Sequence, residues 1–334
     1  MNVAFSLFAV VVIGLIPWIG TTAVNLKYLF GIIIPYAAVI IFILGIVYRM
    51  VIWGKSAVPF RIPTTSGQQK SLPWIKRNRI ENPSNLLEVI IRMALEVLVF
   101  RSLFKLTRSE LKEGPRLAYG GFPWLWLAGL VFHYAFLTVI IRHLRFFLDP
   151  VPFFIPWLET VDGLMEVGLP VWMMSGVALI AAISYLFVRR VVVPQLRYIS
   201  LASDYFPLFL IFCIAGSGIL MRYFFKVDVI SVRELAVSLA GLHPKLPENG
   251  ISGVSYLFYI HLFYVSVLIA YFPFSKLMHS GGIFLSPTRN LANTNRAIRH
   301  INPWNYPVKV HTYQEYEDDF RELMKEADIP VEKD

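Results

Sequence analysis

Two stretches decide the reading of this chain: LAGLVFHYAFLTVIIRH, residues 127–143, and YLFYIHLFYVSVLIAYFPFSKLMH, residues 256–279. Both are apolar runs of about the length needed to cross a bilayer as helix, roughly 20 residues. Each carries two histidines, His133 with His143 and His261 with His279. An imidazole inside hydrocarbon is costly, and an ionisable residue there marks function by default.

Working outward, the 334 residues are 56% hydrophobic and 16% charged, with a mean hydropathy of +0.59. A soluble domain is about half apolar and a quarter charged, so the balance here is shifted towards lipid. Six spans follow: Val3–Val24, Leu29–Val51, Gly120–Ile141, Gly168–Val188, Phe206–Met221 and Gly253–Phe272, the last continuing as helix towards His279. Prolines 17, 35 and 273 are expected to bend their helices. Met1–Gly20 lacks a basic n-region and an A-x-A site and reads as a retained first span. Leu86–Leu106 is apolar but holds Glu88, Arg92, Glu96, Arg101 and Lys105. Each charge at a bilayer centre costs roughly 2.5–3.5 kcal/mol, so this segment reads as an interfacial amphipathic helix, capped by Asn85 and Glu88. The fold class is therefore an all-α integral membrane protein, a bundle of about six transmembrane helices plus that interfacial helix.

Charge sets the orientation. The connection from Arg49 to Arg116 holds 13 Lys/Arg against five Asp/Glu, while the connection after Arg145 is acidic, with Asp149, Glu159, Asp162 and Glu166. By the positive-inside rule both termini are cytoplasmic, in a multi-pass cell-membrane protein. The +9 net charge is accounted for by this orientation and implies no nucleic-acid partner. The single cysteine, Cys213, excludes a CxxCH haem attachment and a cysteine-held iron–sulfur cluster in this chain. A redox centre here must be histidine-held.

The third span runs outward and the sixth inward. Antiparallel pairing puts His143 with His261 at the outer level and His133 with His279 at the inner level. Two facing helices with two histidines each can supply both axial ligands to two b-type haems. Eighteen residues make about five whole turns, so His261 and His279 share a helical face. The rises of about 15 Å and 27 Å do not match for straight helices. Taken singly, each histidine is more simply a polar group hydrogen-bonded across a bundle; four in this arrangement favour ligation. Arg142 and Arg145 flank His143, where they either pair with haem propionates or a quinone carbonyl or snorkel to the interface. Asp149, Glu159 and Asp162 are candidate proton acceptors, though each reads more simply as part of a solvated loop.

The H-x9-H and H-x17-H spacings resemble the dihaem cytochrome b (gamma) subunits of respiratory nitrate reductase. The tail FLSPTRNLANTNRAIRHINPWN, residues 284–305, directly after His279, more closely resembles the cytochrome b subunits of sulfite-reduction-associated, Hdr-like menaquinol oxidoreductase complexes. It is also similar to the membrane subunit of heterodisulfide reductase. The resemblance implies haem b ligation by His133, His143, His261 and His279, a menaquinol site near the outer haem, and a cytoplasmic iron–sulfur partner related to heterodisulfide reductase. Further membrane and extracytoplasmic subunits of the same complex are implied as well. On this reading residues 1–53 form two N-terminal helices, 54–118 the basic connection, 119–280 a four-helix dihaem domain and 281–334 a cytoplasmic tail. Ser286–Tyr306, with Trp304 between Pro303 and Pro307, is placed to dock the electron acceptor, and YQEYEDDFRELMKEA is expected to form a short helix. The rivals from other classes are a transporter whose histidines relay protons and a haem-free membrane anchor. No internal repeat or matched pair of broken helices supports the transporter.

Overall fold

The computed structural model describes residues 2–56, 76, 78–114, 116–165, 171–245, 255–293 and 310–332. Six helices are long and apolar enough to cross a membrane: Asn2–Thr22, Leu29–Lys55, Pro123–Phe146, Met174–Val192, Ala202–Phe224 and Tyr256–Phe274, the first to sixth spans in chain order. The all-α integral membrane architecture read from hydropathy is the one observed. Most boundaries shift by a few residues, and two of the shifted starts have a clear cause. The third span starts at Pro123, not Gly120, because Arg116–Gly121 pairs antiparallel with Thr107–Lys112 in a hairpin turning near Gly114 at φ 79°. Pro123 then opens the helix, where a missing N–H costs nothing. The fourth starts at Met174, not Gly168, because Trp172–Met173 bridges back to Gly163–Met165.

The spans pack third on fourth, fourth on fifth and fifth on sixth, while the first lies against the fifth and sixth and the second against the sixth. The third and sixth face one another without joining that close packing. Val10, Ile183, Leu210, Ile211, Tyr264 and Leu268 form the main buried cluster. Within it the Tyr264 hydroxyl donates to the Val10 carbonyl at 3.2 Å. That close approach requires Gly14, where a Cβ would fall on the hydroxyl. Phe8, Ile40, Leu44, Leu137 and Val188 point outward, an apolar periphery suited to lipid.

The expected continuous sixth helix is corrected. Helix ends at Tyr271, a 3-10 turn runs over Phe272–Phe274, Ser275 is extended, and a second 3-10 turn, Lys276–Met278, leads into a short helix His279–Leu285. Pro273 ends the span because its ring cannot continue the helix; its carbonyl accepts from Arg49 Nε at 2.8 Å. Pro35 likewise opens the α-helical part of the second span after a π-turn, Leu29–Ile33.

The amphipathic helix runs Leu86–Val99, with Asn85 Oδ1 accepting from the Glu88 N–H at 3.0 Å. Glu88 accepts from Ser84 N–H at 2.9 Å, one residue earlier than a capping box on Asn85 would require. Phe100, at φ 50°, breaks the helix before a separate turn, Arg101–Phe104. Leu86, Leu87, Ile90 and Ile91 are exposed, and Arg92 and Glu96 are buried. The polar face therefore points into the protein. Glu96 accepts from the Ser102 hydroxyl at 2.6 Å and pairs with Arg289 at 3.0 Å, and Asn293 donates its backbone N–H to the Pro83 carbonyl at 2.6 Å. The chain just after His279 thus folds onto residues 82–102. Trp304, Tyr306 and the remainder of the expected docking segment lie outside the described residues. The helix expected at the C-terminal end runs Tyr313–Glu326, capped by Thr312 and Glu315.

Candidate functional site

The geometry groups the four span histidines in two pairs. His133 and His279 have ring centroids 5.9 Å apart with planes at 85°; His143 and His261 lie 6.3 Å apart with planes at 17°. His133 comes from the middle of the third span and His143 from its last turn. His261 stands early in the sixth span, and His279 opens the short helix beyond the break. The shared helical face expected for His261 and His279 does not arise, because the helix between them is interrupted. The interruption also removes the mismatch between rises of about 15 Å and 27 Å, which presupposed straight helices.

Every ring is oriented through Nδ1. His133 Nδ1 lies 2.7 Å from the Gly129 carbonyl, His143 Nδ1 2.7 Å from Val139, and His279 Nδ1 2.8 Å from Lys276. Carbonyls only accept, so Nδ1 carries the proton in these three rings and Nε2 bears the lone pair. His261 Nδ1 lies 2.9 Å from the Ser217 hydroxyl. Metal-bound histidines are held in this way, with the non-ligating nitrogen tied to an acceptor.

The donor set can be tested against a metal. Among the described residues no group of three or more His, Cys, Asp or Glu side chains gathers to hold an ion. Paired imidazoles alone suit a macrocycle that brings its own equatorial ligands. Two bonds of about 2 Å to a shared metal, plus about 1 Å from each ring nitrogen to its centroid, give a spacing of about 6 Å. Both pairs have that spacing. Phe100 and Phe132 stand edge-on to His133 at 4.9 and 5.1 Å, giving that pair apolar walls.

At the His143 end, Arg142 pairs with Asp162 at 2.7 Å and donates to Ser175 Oγ at 3.1 Å, and Asp162 also accepts from the Ser175 hydroxyl and N–H. Asp162 is only 6% exposed, so the solvated-loop reading of this residue is corrected. The bridge between Gly163–Met165 and Trp172–Met173 turns it inward. Arg145 pairs with Glu159 at 2.7 Å, and Asp149 with Arg233 at 3.2 Å. Arg142 Nε is buried without a hydrogen-bond partner among the described residues.

At the opposite end, Glu81 accepts from Lys105 at 2.7 Å and also from Arg101. Burial pushes the Glu81 carboxyl up, but these two cations outweigh it and hold the group below its ordinary value. Sequence reasoning missed Ser217, Phe100 and the Glu96–Arg289 contact. Ser217 sits in Ala-Gly-Ser-Gly, which reads as small packing residues, and nothing local signals a partner 44 residues away.

Residues 122–300 match the nitrate reductase gamma subunit family. A protein of Archaeoglobus fulgidus named Hdr-like menaquinol oxidoreductase cytochrome b-like subunit is 48% identical over 280 residues, 83% of either chain. A protein of the same name from Archaeoglobus profundus is 42% identical over 276 residues, 81% of either chain.

Proposed function

Because the chain belongs to the family of Hdr-like menaquinol oxidoreductase cytochrome b-like subunits, within the wider nitrate reductase gamma subunit family, we propose that it binds two b haems and carries electrons from menaquinol across the membrane. His143 and His261 hold the outer haem, and His133 and His279 the inner one. The observation that carries this reading is the pairing itself: four imidazoles in two facing couples at 5.9 and 6.3 Å, each with Nδ1 already engaged.

Haem held by these imidazole pairs would supply a one-electron couple suited to electron transfer. The protein contributes orientation, an apolar surround and charge. Menaquinol is oxidised at the outer level, losing two electrons and two protons. Arg142 and Arg145 stand there, paired with Asp162 and Glu159, the carboxylates that serve as proton acceptors on this reading, and Arg142 Nε is available to a propionate or a quinone carbonyl. On this reading the inner pair, His133 and His279, lies towards the cytoplasmic side, where the electron acceptor would be an iron–sulfur partner related to heterodisulfide reductase, in a complex with further membrane and extracytoplasmic subunits. Both termini lie on the cytoplasmic side.

A reduced-minus-oxidised spectrum with pyridine haemochrome quantitation tests the proposal. Two non-covalent b haems per chain, low-spin in both redox states, are expected. A folded preparation with no haem overturns it in favour of the anchor or transporter reading.

A further inference from the structure

Three of the four histidines are tethered by a carbonyl three or four residues back along their own chain, a contact that helical geometry supplies without a dedicated side chain. His261 is held differently. Its Nδ1 turns to the side chain of Ser217 on the neighbouring fifth span at 2.9 Å. Ser217 is 6% exposed and belongs to the wall between the fifth and sixth spans. Its hydroxyl has one proton, which it donates to the Cys213 carbonyl at 2.7 Å, with Ile214 at 3.0 Å as the alternative acceptor. The oxygen lone pairs are then left for the ring, so the proton of that contact must come from Nδ1. Nε2 of His261 is thereby fixed as the free lone pair. The ring lies against this stretch of the fifth span: a Cβ at the adjacent Gly218 would meet His261 Cε1 at 3.4 Å, in ordinary van der Waals contact.

We propose that Ser217 is the positioning residue of the outer haem: it fixes the tautomer and plane of His261 and, by accepting the Nδ1 proton, sets how strongly that imidazole donates to iron. The inference rests on the dihaem reading above. The hydroxyl stands between an N–H donor and a carbonyl acceptor, and such a chain polarises each member. A ring whose N–H is accepted donates more strongly through its other nitrogen. Deleting the hydroxyl removes this acceptor and leaves the ring only the Ile214 carbonyl of the fifth span, a main-chain group that cannot follow it. The ring then turns, its donation falls, the ferrous state gains, and the midpoint potential of this haem rises.

The test is a potentiometric titration with low-temperature EPR on the purified full chain carrying its haems, as wild type, Ser217→Ala, Ser217→Thr and Ser217→Cys. In Ser217→Ala the haem that His261→Ala removes should titrate at a higher potential, shift its low-spin g values and leave the protein about 10–100-fold more readily. The other haem should keep its wild-type signals, which also shows that the chain is folded. Ser217→Thr should restore wild-type behaviour. Ser217→Cys, whose thiol is a weak acceptor, should shift the same potential in the same direction, and it serves if Ser217→Ala does not fold. Wild-type potentials and g values in Ser217→Ala, or in Ser217→Cys where that variant stands in, overturn the inference. A wild-type chain without haem instead overturns the dihaem reading on which it rests.

Discussion

His143 and His261 lie nearly parallel, their planes 17° apart, whereas His133 and His279 are nearly perpendicular at 85°. Parallel axial planes split the iron π orbitals and give a rhombic low-spin signal. Perpendicular planes leave those orbitals close to degenerate and give a single large-g feature. The two proposed haems should therefore be separable by EPR. His261→Ala should halve the haem content and remove the rhombic signal, and His279→Ala should remove the large-g feature. Retention of both haems in His261→Ala would refute the pairing.

Arg142 and Asp162 form a buried ion pair, with side chains 12% and 6% exposed. Removing one partner of such a pair strands the other charge and costs about 3–5 kcal/mol. Asp162→Ala should lower the thermal transition of the detergent-solubilised protein by several degrees. It should also slow oxidation of a menaquinol analogue. An unchanged transition temperature would show that Arg142 is not left buried and alone.

Glu96 accepts from the Ser102 hydroxyl and N–H and pairs with Arg289, whereas Arg289 is 34% exposed and meets Glu96 from outside. The two ends of this contact should not cost the same. Glu96→Ala should destabilise by about 3 kcal/mol by opening the whole cluster, and Arg289→Ala by about 1 kcal/mol, because Ser102 still satisfies the carboxylate. Limited proteolysis after Leu285 should follow the same order. Equal sensitivity of the two variants would show that Ser102 contributes nothing.

Glu81, held by Lys105 and Arg101, should give the protein an acid limb. Its folded value lies below the ordinary 4.5. The stabilisation is therefore complete above that value and lost as the pH falls through the lower folded value. A thermal-stability profile measured from pH 7 downward should fall more gently below about pH 4.5 in Glu81→Gln than in wild type. Superimposable acid limbs would remove Glu81 from the account.

Much of this arrangement was readable in the residues because the bilayer is a strict solvent. A run such as YLFYIHLFYVSVLIAY has few options besides spanning, and counting crossings makes the third and sixth spans antiparallel. The unread parts come from tertiary contact. Phe100 takes a positive φ that no phenylalanine announces. Asp162 is buried because Gly163–Met165 bridges to Trp172–Met173 beside it, while Ser217 meets a ring on another span. The hairpin over 107–121 did carry a local signal, Glu-Gly-Pro-Arg at residues 113–116, but its charges made it resemble an ordinary basic connection.

The extended residue Ser275 separates His261 from His279, the two histidines that share this stretch of chain. His261 is embedded in the bundle, whereas His279 stands beyond the break at the head of a segment tied through Arg289 to Glu96. The segment tied to residues 82–102 thus carries one of the two imidazoles, and the bundle carries the other. If the proposed dihaem reading holds, whatever grips the polar end of this molecule bears on the His279 pair more directly than on the His261 pair, which stays anchored among the spans.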